Sequence, residues 1–121
     1  MVNFGRMNTV PDKFKGRKFY EHNATVTLMR TTVEEIRKLG EEIGRKASVA
    51  PGPSCIMIPL KGVSAIDQIG KAFDDPIARQ ALYEGIRPTH GPAEQIELDN
   101  HINEGGFAQA AAEKLLDLIR M

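Results

Sequence analysis

Cys55 to Leu60 (C-I-M-I-P-L) is a continuous apolar run, and Lys61 to Asp67 (K-G-V-S-A-I-D) follows it with small and polar groups. Six apolar residues in a row, bounded by the Pro/Gly/Ser loop at Ser48–Ser54 and by Gly62, read as a strand covered on both faces, as in a parallel sheet. Thr25–Thr32 (T-V-T-L-M-R-T-T) and Ile96–Asn103 (I-E-L-D-N-H-I-N) share the shape, an apolar run that empties into polar residues just ahead of a helical pattern. Strands alternating with helices predict an α/β fold with a mainly parallel sheet and helices on its faces. Right-handed crossovers would gather the three polar tips at one sheet edge, where open α/β folds bind ligands.

The helices have their own signals. Thr32 with Glu35 three residues on makes a capping box, and Ile36, Leu39, Ile43 and Ala47 recur at helical spacing. Gly40 and Gly44 interrupt that helix at about 1 kcal/mol each relative to alanine, unless their spacing serves a close backbone approach. Asp75 before Pro76 places an acceptor at the N-cap and a preset φ at the first helical position, opening a helix through Ile77, Ala81, Leu82 and Ile86. Phe107, Ala108, Ala111, Leu115, Leu118 and Ile119 predict the core stripe of a terminal helix. Phe19–His22 and Thr25–Met29 read as short strands about a turn at His22-Asn23.

Bulk properties narrow the function. The chain has 121 residues, enough for one domain, and 16 basic against 16 acidic residues leave no net field for nucleic acid or an anionic membrane. Residues 1–30 hold six Lys/Arg against two acids, a basic extended arm with short strands, while residues 31–121 carry three helices alternating with strands. Val2-Asn3-Phe4 reads as the end of a strand that has barely started, which suggests a partial domain. A lone cysteine, Cys55, fits a reducing compartment and a buried thiol. The absence of a signal-like start and of a long apolar run adds the expectation of a soluble, cytoplasmic protein.

Three clusters are candidate sites. Arg30, Thr31 and Thr32 sit at a helix start, where free N–H groups and the dipole favour an anion and an arginine fork suits phosphate; simple capping is the alternative. Gly62 and Ser64 offer backbone N–H groups and a hydroxyl that Asp67 can orient, or else they form a turn with a local cap. Neither common glycine-rich phosphate motif is present. Asp99, His101 and Asn103 alternate, so an extended backbone turns all three to one side. They read as an acid–base pair, a metal-ligand fragment short of donors, or a hydrogen-bond cluster. No metal site is expected.

V-N-F-G at Val2–Gly5, T-V-P-D-K-F-K-G-R at Thr9–Arg17, H-N-A-T-V-T-L-M-R-T-T at His22–Thr32, P-L-K-G-V-S-A-I-D at Pro59–Asp67 and L-D-N-H-I-N at Leu98–Asn103 together resemble the C-terminal half of the Tm-one-like ATP-binding domain family. The resemblance runs from Val2 to about Leu118. It implies a Rossmann-like three-layer αβα domain, here incomplete, in a protein roughly three times this length. It also implies binding of ATP or another phosphate ligand, magnesium with the ATP, and association with the upstream half or self-association. Positions matching the family's patterned loops are His22, Asn23, Arg30, Thr31, Thr32, Gly62, Ser64, Asp67, Asp99, His101 and Asn103. Two other functions remain open: a subunit of an enzyme on a small acyl or phosphorylated metabolite, with His101 and Asp99 as catalytic candidates, and a structural or interaction domain without a ligand. The chain departs from the family where Glu104-Gly105-Gly106 replaces an Asp-Pro helix start, which predicts a cap weaker by about 1 kcal/mol. It departs again at Gln68-Ile69, which predicts a looser loop.

Overall fold

The computed structural model describes all residues, 1–121, as two compact units, Met1–Thr32 and Val33–Met121. In the first, β1 (Val2–Phe4), β2 (Phe19–Asn23) and β3 (Val26–Met29) form an antiparallel sheet in the order β1-β3-β2. Its hairpin is set by Asn23, whose side-chain oxygen accepts the Thr25 N–H at 2.9 Å and the Thr25 hydroxyl at 3.1 Å. A turn this short can join only antiparallel neighbours. The expected mainly parallel sheet is therefore two sheets, because the β2–β3 connection has no room for a crossover. Two short 3-10 turns, Met7–Thr9 and Asp12–Phe14, carry the chain from β1 toward β2. Phe14 packs against Phe4, and the cations of Lys13 and Arg17 lie over its ring.

The second unit contains α1 (Val33–Ser48), β4 (Cys55–Pro59), α2 (Pro76–Ile86), β5 (Glu94–Leu98) and α3 (Gly105–Arg120). β4 and β5 pair in parallel, from Cys55 opposite Glu94 to Pro59 opposite Leu98. The structure is thus mixed α/β with one parallel pair.

On α1 the buried residues are Ile36, Gly40 and Gly44, whereas Leu39 and Ile43 stand 48% and 44% exposed. The predicted stripe is displaced by one position, and the reason is steric. A Cβ on Gly40 would lie 2.2 Å from the Leu82 carbonyl oxygen, and one on Gly85 would lie 2.3 Å from that of Arg37. Glycines on both helices let the backbones of α1 and α2 touch, and an Arg37–Glu84 ion pair at 2.6 Å flanks the crossing. Ile36, Ala78 and Ala81 form one core cluster. Ile58, Tyr83 and Ile86 form another, which seats α2 on β4.

α2 begins as its sequence dictates: Asp75 accepts the Ala78 N–H at 2.9 Å and Pro76 follows. α3 does not match its predicted core role. Only Phe107 is buried, while Leu115 and Ile119 are 57% and 71% exposed, because no other element of this unit covers that face.

Candidate functional site

The loops that leave β4 and β5 lie together, and backbone bonds pin them. The Leu60 N–H donates to the Leu98 carbonyl, the Lys61 N–H to Asn100, and the Ile102 N–H to Gly62 at 3.0 Å. Gly62, Ser64, Asp67, Asp99, His101 and Asn103 accordingly share one rim at the carboxyl ends of the parallel pair. This much of the expected convergence follows from parallel pairing and short loops.

At its centre His101 is buried, and both ring nitrogens are engaged by backbone. Nε2 lies 2.8 Å from the Ser64 carbonyl, and Nδ1 accepts the Asn103 N–H at 3.1 Å. A carbonyl can only accept, so the proton sits on Nε2 and the ring ties one loop to the other. The Ser64 carbonyl also accepts the Asp67 N–H at 2.9 Å, and the Ser64 hydroxyl accepts the Ile66 N–H at 3.3 Å.

Gly62 has φ +135°, and a Cβ there would fall 1.9 Å from the Asp67 carbonyl oxygen and 2.8 Å from the His101 ring. Protein atoms thus occupy the space over this glycine. Its conformation serves the close packing of the two loops.

Asp67, fully buried, accepts from Arg79 of α2 at 3.0 Å, and Arg79 also reaches Asp74 at 3.0 Å. A buried carboxylate needs such a partner, since an unpaired charge in the interior costs several kcal/mol. Phe73, wholly buried, anchors the far end of the loop. Beneath this network the Tyr83 hydroxyl donates to the Pro59 carbonyl at 2.5 Å. Burial pushes its pKa up to about 12, with the negative charge of Asp67 adding to the shift.

Arg79, Tyr83 and Phe73 escaped the reading of the sequence. The first two lie on the face of α2 opposite the exposed Ile77, a signal visible in its helical period, whereas nothing local marks Phe73.

The rim's outer groups are exposed. Asp99 meets the Lys61 ammonium at 3.5 Å, and Asn103 faces solvent. The Glu104 carboxylate accepts the His101 backbone N–H at 2.9 Å and the Asn100 amide at 2.7 Å, which lowers its pKa. Committed to that loop, it makes no side-chain cap on α3, as the departure at this junction predicted. Burial raises the Cys55 pKa, with Glu94 adding to it, and a raised pKa suits an unreactive thiol. No three His, Cys, Asp or Glu side chains gather as metal ligands.

In the first unit, His22 and Asn23 are exposed at the β2–β3 hairpin, and the His22 ring lies 6.5 Å from that of Tyr20. Arg30 and Thr31 are buried just after β3, and Thr32 is exposed. The Arg30 carbonyl accepts from the Arg17 guanidinium at 3.0 Å, and the Thr31 hydroxyl meets no hydrogen-bond partner. A hollow of about 190 Å³ lies near Met7, Pro11, Lys15 and Phe19 of this unit.

Residues 1–119 match the family described as "Uncharacterised protein family (UPF0261) C-terminal domain". A UPF0261 protein of Clostridium tetani is 46% identical over 121 residues, covering 98% of this chain and 30% of its own length. The ToMV resistance protein Tm-1(GCR237) of Solanum lycopersicum is 40% identical over 121 residues, with 98% of this chain and 16% of its own length covered. The ToMV susceptible protein tm-1(GCR26) of the same plant is 38% identical over the same span. The chain thus spans about a third or less of these relatives.

Proposed function

The chain belongs to the UPF0261 C-terminal domain family, and from that premise we propose that it is a structural and interaction domain. It contributes a rigid α/β piece to a larger protein instead of a reaction centre of its own. The observation behind this reading is the saturation of the rim. His101 spends both ring nitrogens on backbone groups, Asp67 is neutralised by Arg79, and the space above Gly62 is filled. An acid–base role for His101 would require breaking both of its bonds, and an anion over Gly62 would have to displace Asp67.

The relatives fit. The tomato resistance and susceptible proteins match this stretch almost equally, as expected of a shared structural part. In the complete protein we place this chain in a Rossmann-like three-layer domain, with β4–β5 as one portion of its sheet. Isothermal titration of the chain with ATP, with and without magnesium, tests the reading. No heat above dilution is expected, and micromolar binding would overturn it.

A second reading is favoured by the Thr31 hydroxyl, buried without a partner beside Arg30. A nucleotide or phosphate oxygen bound at Arg30–Thr32 would supply the missing partner, with magnesium accompanying ATP. In that case the titration yields binding that disappears in Arg30→Ala and weakens in Thr31→Val.

A further inference from the structure

The three histidines of the chain hold their ring protons differently. His22 stands exposed at the β2–β3 hairpin. His90 places Nδ1 2.6 Å from the Ala93 carbonyl, so its proton sits on Nδ1, and a second one would enter at Nε2 with that bond intact. His101 instead accepts a backbone N–H. Asn103 donates to its Nδ1 at 3.1 Å, while Nε2 donates to the Ser64 carbonyl at 2.8 Å. A proton added to this ring has only Nδ1 to go to. There it meets the Asn103 N–H, two donors with no acceptor between them, and that bond breaks.

The bond lies where its loss is felt. Asn103 belongs to the turn that enters α3, whose other ties are the Glu104 N–H to the His101 carbonyl and the Glu104 carboxylate to the His101 N–H and the Asn100 amide. Gly105 and Gly106 follow, α3 has no side-chain cap, and a Cβ on Gly105 would meet nothing within 4 Å. Little packing holds this junction once the turn loosens. On the other side the ring abuts Gly62, where a Cβ would fall 2.8 Å from it, so a displaced ring also disturbs the loop after β4.

The charged groups of the segments packed about the ring are Lys61 and Asp67 after β4, Arg79 of α2, and Asp99 and Glu104 after β5. Asp67 pairs with Arg79, and Asp99 with Lys61. Glu104 remains as the negative charge an imidazolium would face. Its bonds to the His101 N–H and the Asn100 amide hold its pKa below the usual carboxylate value, so it stays charged through the imidazole range.

We propose that His101 is a pH-sensitive latch between the loop after β4 and the start of α3, closed while the ring is neutral and released when Nδ1 takes up a proton. The latch is whole above the ordinary imidazole range, about pH 6.5, and is lost as the pH falls below it. It goes beyond the interaction reading and does not depend on it, since neither a partner nor a nucleotide at Arg30–Thr32 uses this ring.

Amide exchange followed from about pH 8 to about pH 5, corrected for the intrinsic rate at each pH, tests the latch. The amides of Ile102, Asn103, Glu104 and Phe107 should lose about tenfold in protection at the acid end, as for one buried hydrogen bond. Those of α2 should keep theirs. His101→Gln retains an N–H for the Ser64 carbonyl and cannot be protonated, so it should show no such step. Glu104→Gln keeps an acceptor for the His101 N–H and should retain the step at lower pH, while His90→Gln should leave it in place. Nitrogen shifts of the wild-type ring need no substitution, so they decide even if His101→Gln fails to fold. Protonation of Nδ1 and the shift of the Asn103 amide should share one midpoint. Undiminished protection in the wild type at acid pH overturns the proposal, as does an equal step in His101→Gln. So does an Asn103 amide that stays unmoved while Nδ1 is protonated. A step that vanishes in Glu104→Gln while the ring still titrates belongs to that carboxylate and overturns it as well.

Discussion

α1 and α2 meet with nothing between their backbones, while α3 lies on the same unit with most of its apolar side chains in water. The first pair is finished by the chain's own residues. Gly40 and Gly85 admit the opposing backbone, Asp75 caps α2, and Arg79 and Tyr83 tie it to the neighbouring loop and strand. For α3 the anchors are Phe107 and an ion pair from Lys114 to Glu94, and its start has no side-chain cap. Amphipathic period therefore marks a face that will be covered without saying by what. In α1–α2 the cover comes from the same unit, and for α3 the second unit does not supply it.

The contrast is broken most severely at the glycines. Gly40→Ala should destabilise by about 3 kcal/mol, the upper end for overpacking, because the obstacle is a backbone carbonyl. Gly106→Ala in the first turn of α3, where a Cβ meets only ordinary contact distances, should stabilise by about 0.5 kcal/mol. Chemical denaturation of both variants measures the opposite signs, and equal signs would erase the distinction.

Asp67→Ala comes next. Arg79 keeps Asp74 but loses its fully buried partner, so a cost of about 2 kcal/mol is expected, below that of the glycine because Asp74 compensates in part. Hydrogen exchange of the variant should show the amides of the loop at residues 62–75 exchanging faster.

Tyr83→Phe should cost about 1 kcal/mol for the bond to Pro59. It also carries a pH signature. The folded pKa of Tyr83, about 12, lies above its ordinary 10, so its contribution is complete below pH 10 and is lost as the pH rises through 12. The wild-type chain should lose stability across that window, and Tyr83→Phe should lose less.

The smallest effect sharpens the other side of the comparison. Leu115→Glu on α3 should change the stability of the isolated chain by less than about 0.5 kcal/mol, as at an exposed surface position. A large loss would mean that this face is covered after all.

Local chemistry made several elements legible. Asp75-Pro76 can hardly do anything but start a helix, Asn23 turns a hairpin through its own side chain, and Cys55–Leu60 is too apolar for anything but a covered strand. The adjacency of the loops after β4 and β5 could be read because parallel pairing brings successive carboxyl ends together. The work done by that rim could not. Whether His101 faces a substrate or two backbone groups depends on distances between segments 37 residues apart, and no periodicity encodes them. The same holds for α1, where two glycines look like helix-weakening flaws until the partner backbone that needs them is in place.

By itself, the sequence determined the elements, their caps and the parallel β4–β5 unit, since these rest on interactions within a few residues. Tertiary structure alone decided that the polar tips close on one another and that the glycines are contact points. Each of these depends on which atoms distant segments bring within bonding or steric reach.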